Sequence, residues 1–203
     1  MNTLLPVDTK KLPRTLVLDP PLTDAEFEAL CRANDGVQFE RTKEGVICMN
    51  PPAGGFTGDG NSEINHQLRG WWEMHLQGRV FDSNTGFYLP DSSMLSPDAA
   101  YVSPQQLSGL SKTQLSGIPR LCPDFIIELL SVSDSHSHAL EKMDSWIANG
   151  AQLAWLIDPY GKRVFIHQQG AEVSIFTGRY LRGSGPIDGF TLDLDKVWRC
   201  YEI

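Results

Sequence analysis

The sequence predicts a single α/β domain. The segment Phe125-Ile126-Ile127-Glu128-Leu129-Leu130 is almost continuously apolar, as a central strand covered on both faces requires. On either side of it, stretches with apolar residues three and four apart, the mark of a helix, alternate with short strand-like runs. The chain's 203 residues are 41% hydrophobic and 21% charged, which supplies one sizeable core and is far from the composition of a disordered chain.

The elements follow in order. Residues 1–22 carry Pro6, Pro13, Pro20 and Pro21 and show neither period, so they read as an extended arm before a domain over 23–203. Thr23-Asp24-Ala25-Glu26 is a capping box, and Phe27, Leu30 and Cys31 supply one apolar face of a short helix to about Asn34. Asp35-Gly36 opens a strand through Val37 and Phe39, which a turn near Lys43-Glu44-Gly45 joins to Val46-Ile47-Cys48-Met49 as a hairpin. Pro51 to Gly60 reads as a glycine-rich loop, Asn61 as the cap of a helix carrying Ile64, Leu68, Trp71 and Trp72, and Gly78 as its end. Strands are expected at Val80-Phe81, Phe87-Tyr88-Leu89 and Asp98 to Val102, then an irregular excursion from Ser103 to Arg120. After the central strand, Ala139, Met143, Trp146 and Ile147 trace a helix closed by Asn149-Gly150. Leu153 to Ile157, Val164 to Ile166 and Val173 to Phe176 read as strands.

Composition limits the function classes. No apolar run approaches the ~18–20 residues that cross a bilayer, and the first residues lack a signal peptide's apolar region. Cys31, Cys48, Cys122 and Cys200 fit no metal or redox spacing, so a cytoplasmic protein with free thiols is expected. A net charge of −8 argues against nonspecific polyanion binding, which needs clustered Lys and Arg.

Three residues stand against their local pattern. Glu128 interrupts a strand that otherwise reads as buried, where an ionised carboxylate needs a cation or hydrogen-bond donors; a strand-end acid paired with an Arg is the structural alternative. Asp98 follows Pro97 at the start of a strand that can neighbour the central one. Two carboxylates on adjacent strands form an oxygen-rich site suited to Mg²⁺, which takes few protein carboxylates and keeps several waters. Lys142 lies one turn before Trp146 and borders the buried stripe of its helix. Its arm can reach back over the sheet to orient a water and offset charge on a phosphoryl oxygen, or merely pack its stem and extend its head to water. Glu63, in the expected first turn of a helix, is favoured there by the macrodipole alone. The loop Gly54 to Gly60 lacks a following Gly-Lys-Ser/Thr, and Asp59 would repel a phosphate, so a loop beside the cleft is expected rather than a phosphate cradle. His136 and His138 lack zinc-spaced partners, and Ser131 and Ser133 lie in no G-x-S-x-G elbow.

The stretches Ser96-Pro97-Asp98, Pro123-Asp124-Phe125-Ile126-Ile127-Glu128-Leu129-Leu130-Ser131, Lys142 to Ala151 and Leu153-Ala154-Trp155-Leu156-Ile157-Asp158-Pro159 resemble, in that order, the motifs of the bacterial restriction-endonuclease family long listed as a domain of unknown function, of the PD-(D/E)XK nuclease superfamily. The resemblance spans roughly residues 20 to 200. It implies a restriction-endonuclease-like mixed β-sheet core flanked by helices, here with an N-terminal helix and β-hairpin attached. It also implies hydrolysis of nucleic-acid phosphodiester bonds, DNA foremost. By that resemblance Asp98 and Glu128, with the carbonyl of Leu129, would hold Mg²⁺ or Mn²⁺, and Glu63 would assist from the first core helix. The usual Glu-x-Lys would place lysine at 130, where this chain has Leu130, and Lys142 is the natural substitute. A catalytically inactive binding or assembly module on the same fold is the alternative. Trp71, Trp72, Trp155 and Trp198 are more large aromatics than a small core hides, which leads to the expectation of a homodimer.

Overall fold

The computed structural model describes residues 15–34 and 36–203. Of the expected arm, residues 1–14 lie outside the described residues, as does Asp35. The rest of the arm is integrated into the fold. Strand β1 (Thr15–Leu16) pairs antiparallel with a later strand, and Leu18 and Leu22 pack on the cluster around Phe27.

Helix α1 (Asp24–Ala33) starts on the capping box: the Thr23 N–H donates to Glu26 Oε2 at 2.9 Å and the Glu26 N–H to Thr23 Oγ1 at 3.4 Å. Its single fully buried side chain, Phe27, anchors it. Strands β2 (Gln38–Arg41) and β3 (Ile47–Asn50) form the expected hairpin, whose turn holds Gly45 at φ +82°, a conformation that favours glycine.

Helix α2 (Gly55–His75) departs from expectation, because it begins at Gly55, not at Asn61. Burial overrides the poor helix propensity of its glycines, about 1 kcal/mol each. Thr57, Gly60, Ile64 and Leu68 form one inward face, and a Cβ on Gly60 would stand 2.9 Å from Leu129 Cδ2 and 3.1 Å from the Tyr201 ring. The glycine lets the helix lie close to the central strand.

Next come β4 (Arg79–Asp82), β5 (Phe87–Tyr88), β6 (Met94–Leu95) and β7 (Ala99–Val102). The excursion after β7 contains two short helices, α3 (Pro104–Leu107) and α4 (Lys112–Ser116), capped by Ser103 and Ser111. Strand β8 (Phe125–Leu129) is the central strand; α5 (His136–Ala148) leads from it to β9 (Leu153–Asp158), followed by β10 (Arg163–Gln168) and β11 (Ser174–Phe176). A ribbon of β12 (Tyr180–Arg182) and β13 (Thr191–Asp193) and helix α6 (Leu194–Arg199) complete the chain.

The main sheet runs β11-β10-β9-β8-β7-β4. It is mixed: β8 and β9 are parallel and the other pairs antiparallel. A second sheet, β1-β3-β2-β6-β5, is antiparallel. Alternation along β8 decides what each face meets. Phe125, Ile127 and Leu129 join Ile64 and Leu68 of α2 and Val197 and Trp198 of α6. Ile126 and Leu130 join Met143 and Trp146 of α5 with Phe87 and Leu95 of the small sheet. Each such aliphatic or aromatic side chain contributes about 1.5–3 kcal/mol on burial, which explains why both faces are covered.

The tryptophans are used inside the protomer. Trp146, Trp155 and Trp198 are buried, and Trp71 and Trp72 are half-buried, their indole N–H groups donating to Asp188 O and Gly78 O. The surplus of aromatics on which the homodimer expectation rested is therefore absent.

Candidate active site

The site grows from Glu128. Its even position on β8 turns it to the α5 face, and α5 meets it with Lys142 and Trp146, one helical turn apart. The Trp146 indole donates to Glu128 Oε1 at 2.8 Å, and Lys142 Nζ lies 2.9 Å from Oε1 and 3.1 Å from Oε2. The same ammonium lies 2.9 Å from Glu40 Oε1 on β2 and donates to Ser96 O at 2.8 Å. Glu40 is held in turn by the Ser96 N–H at 2.8 Å and the Asn50 amide at 3.1 Å. All three Lys142 donors are thus engaged.

Asp98 arrives from the neighbouring strand. The register that pairs Ala99 with Ile127 and Ala100 with Ile126 carries Asp98 alongside Glu128. Its Oδ2 accepts from the Leu129 N–H at 2.7 Å, and its Oδ1 accepts from the Asn61 amide at 2.7 Å. Asn65, one turn further along α2, donates to Asp98 O at 3.0 Å. The orientation of Asn61 is set by the carboxylate, and it leaves Asn61 Oδ1 buried with no hydrogen-bond partner.

The electrostatics follow from one ammonium facing several carboxyls. Burial pushes the Glu128 carboxyl up to about 8; Lys142 opposes the shift, and Asp98 and Glu40 reinforce it. Asp98 is raised by burial too, against the Leu129 N–H and Lys142. Glu40, equally buried, is nevertheless lowered, since Lys142, the Ser96 N–H and Asn50 outweigh the desolvation. Lys142 is raised above the ordinary lysine value because Glu128 and Glu40 outweigh its own burial. Fully ionised, the three acids and one ammonium leave a surplus of two negative charges, which a divalent cation matches. Among the described residues no three His, Cys, Asp or Glu side chains form a ready metal cage. A hard cation that binds through one or two carboxylates and keeps its waters still fits this donor set.

Asp98, Glu128, Leu129 and Lys142 line one cleft of about 700 Å³. Glu63 is not brought there. It lies in the third turn of α2, its Oε1 accepts from Gln67 at 2.9 Å, and it acts on Cys200 near the chain's end. Asn61, two residues earlier, is the α2 residue that reaches Asp98. The glycine segment expected as a loop is the first turn and a half of α2, with Gly54, Gly55, Phe56 and Thr57 on the cleft. Sequence reasoning missed Glu40, Asn61 and Trp146. The Trp146 role follows from its spacing to Lys142, whereas Gln38-Phe39-Glu40-Arg41 alternates like any half-exposed strand.

The comparisons with known proteins bear on this arrangement. A family model, Uma2, described as "Putative restriction endonuclease", matches residues 24–195. The chain belongs to this family. The Uma2 match takes in α1, the whole main sheet, the second sheet apart from β1, and all the cleft residues named above. A solved structure described as a "putative nuclease belonging to DUF820", from Anabaena variabilis ATCC 29413, superposes with a TM-score of 0.73 at 20% identity, covering 89% of this chain and 99% of that one. At that identity the likeness speaks to the fold: a mixed α/β core of the restriction-endonuclease-like kind. No curated protein matches the chain. Family and fold together support a nuclease.

Proposed function

We propose that this Uma2 protein hydrolyses phosphodiester bonds of DNA with a divalent metal, Mg²⁺ or Mn²⁺, in the cleft between β7, β8 and α5. The observation that carries the reading is the buried group of Asp98, Glu128 and Glu40 around the single ammonium of Lys142. Asp98, Glu128 and the Leu129 carbonyl would hold the cation, which when bound lowers the pKa of a ligated water and offsets charge on the phosphoryl oxygens. Asn61 and the Leu129 N–H fix the Asp98 carboxylate. Glu40 and Ser96 O keep Lys142 in place while Glu128 turns toward the cation, which frees one N–H for the attacking water or a phosphoryl oxygen. In the reaction water attacks phosphorus, the bond to the leaving deoxyribose oxygen breaks, and the proton lost by water passes to that oxygen through solvent.

A second reading, a catalytically inactive binding or assembly module, is favoured by one observation: every Lys142 N–H already has a partner, so the lysine itself balances the carboxylates. Nicking of supercoiled plasmid separates the two. Mg²⁺-dependent nicking is expected, lost in Asp98→Ala and reduced about 10²–10³-fold in Lys142→Ala, as on loss of one preorganised charge. Salt-sensitive DNA binding with no nicking would establish the inactive module. A cytoplasmic setting accords with four free cysteines, and no helix among the described residues is long and apolar enough to cross a membrane. A homodimer belongs to the same proposal, carried by β11, an edge strand of the main sheet with no further strand beside it among the described residues, where Ile175 is exposed.

A further inference from the structure

We propose that the cleft recognises an unpaired nucleobase on an aromatic rim formed by Phe56 and Tyr160, which makes its substrate a single-stranded polynucleotide; this rests on the reading of the cleft as a nuclease site. Both rings line the same cleft as Asp98 and Glu128, and both are large apolar surfaces left in water, 47% and 53% exposed. They come from separate elements, the first turn of α2 and the turn between β9 and β10, and both rest on Tyr201, which follows α6. The Phe56 and Tyr201 rings are 6.1 Å apart at 31°, and the Tyr160 and Tyr201 rings 5.6 Å apart at 83°.

The platform is rigid on the Tyr160 side. The Asp158 carboxylate accepts from the Tyr160 N–H at 3.1 Å, the Gly161 N–H at 2.9 Å and Arg163 Nε at 2.9 Å, and a Cβ on Gly161 would stand 2.6 Å from Asp158 Oδ2. A stacking surface fixed in advance loses little conformational entropy when a base lands on it.

Charge excludes the other way of gripping nucleic acid. Lys142 is the only Lys or Arg among the described residues lining the cleft, and its three donors are engaged, while Glu40, Asp98, Glu128 and Asp134 line it as acids. A duplex carries one phosphate charge per ~1.7 Å of axis, so these walls disfavour it relative to an unpaired strand, such as the locally unwound segments of a supercoiled plasmid. A single strand carries half that charge per unit length and gains in addition base stacking on the rim, worth about 1–3 kcal/mol per base.

The test is binding by the full chain in EDTA, where cleavage plays no part, followed by fluorescence anisotropy of a labelled oligothymidylate, an abasic oligomer of equal length and a duplex of equal length. The oligothymidylate should bind at least tenfold more tightly than either of the others. Phe56→Ala and Tyr160→Ala should each weaken it about 5- to 100-fold, the range for losing one stacked base. Phe56→Trp should retain binding, and Tyr180→Ala, an exposed aromatic outside the cleft, should leave it unchanged. Equal binding of the thymidylate and abasic oligomers, preference for duplex, or indifference to both alanine variants would overturn the proposal. Plasmid nicking without base-dependent binding would leave the nuclease reading standing and end this one. Base-dependent binding without divalent-dependent cleavage of either form would do the reverse, and no binding to any of the three would end this proposal while the nicking assay decides the nuclease reading.

Discussion

At the scale of single residues, Glu128 sets the pH behaviour. An acid whose folded value lies above its ordinary 4.5, here about 8, stabilises the fold while protonated, and that contribution fades as pH rises between the two values. Asp98, also raised, acts with the same sign. Glu40, which is lowered, loses its contribution only on the acid side, and the raised Lys142 only at strongly alkaline pH. Thermal melts of the metal-free chain should therefore fall from about pH 5 to pH 8. Below about pH 8, taking up a divalent cation should release a proton, so affinity should climb up to about tenfold per pH unit. Calorimetry in buffers of different ionisation enthalpy measures that proton, and a value of zero near neutrality would remove Glu128 from the metal site. Asp98, Glu128 and Lys142 were legible because each breaks its own surroundings: an acid in an apolar strand, an acid after a proline at a strand start, a lysine beside a buried stripe. Glu40 and Asn61 break nothing locally. Their partners, Ser96 and Asp98, lie far away in sequence, and no local pattern carries that information.

At the scale of elements, the placement of α2 is the most sensitive adjustment in the site. Gly60→Ala would gain about 0.5–1 kcal/mol of helix propensity, but its Cβ would press on Leu129 Cδ2 at 2.9 Å and Tyr201 at 3.1 Å. Overpacking of that kind costs about 1–3 kcal/mol, so the variant should be less stable by about 1–2 kcal/mol in urea. It should also nick plasmid more slowly than the wild type at a temperature well below its own melting point, because the displaced helix carries Asn61 off Asp98. Full activity at wild-type stability would show that the close approach is dispensable. The central strand, α5 and the hairpin were legible from their hydrophobic patterns, with Asn149-Gly150 marking the end of α5 and Lys43-Glu44-Gly45 the turn of the hairpin. The start of α2 was not, since glycines that ordinarily break helices are here required by contact with Leu129. Strands β6, β12 and β13 have three residues or fewer and show no period, whereas β5 and β11, equally short, are each extended by an apolar neighbour, Leu89 and Val173.

At the scale of the molecule, the free edge at β11 and the seam between the two sheets are the features that matter. If β11 pairs with its copy, sedimentation at about 20 μM should give a dimer, and Ile175→Lys, which places a charge on the edge, should give a monomer; a wild-type monomer would end the homodimer proposal. The seam is tied by one side chain: Lys142, on α5 above the main sheet, bonds Glu128 of that sheet and Glu40 of the other. Neither sheet can lift off without stranding a buried ammonium and its carboxylates, so the two should open as one cooperative unit in native-state hydrogen exchange. Replacing Lys142 by Met should uncouple them, with amides of the β2–β3 hairpin exchanging at least tenfold faster while those of β8 and β9 change less. The side chain proposed to position the attacking water would then also be the latch between the two sheets, so Lys142→Met should loosen the hairpin as well as slow the chemistry.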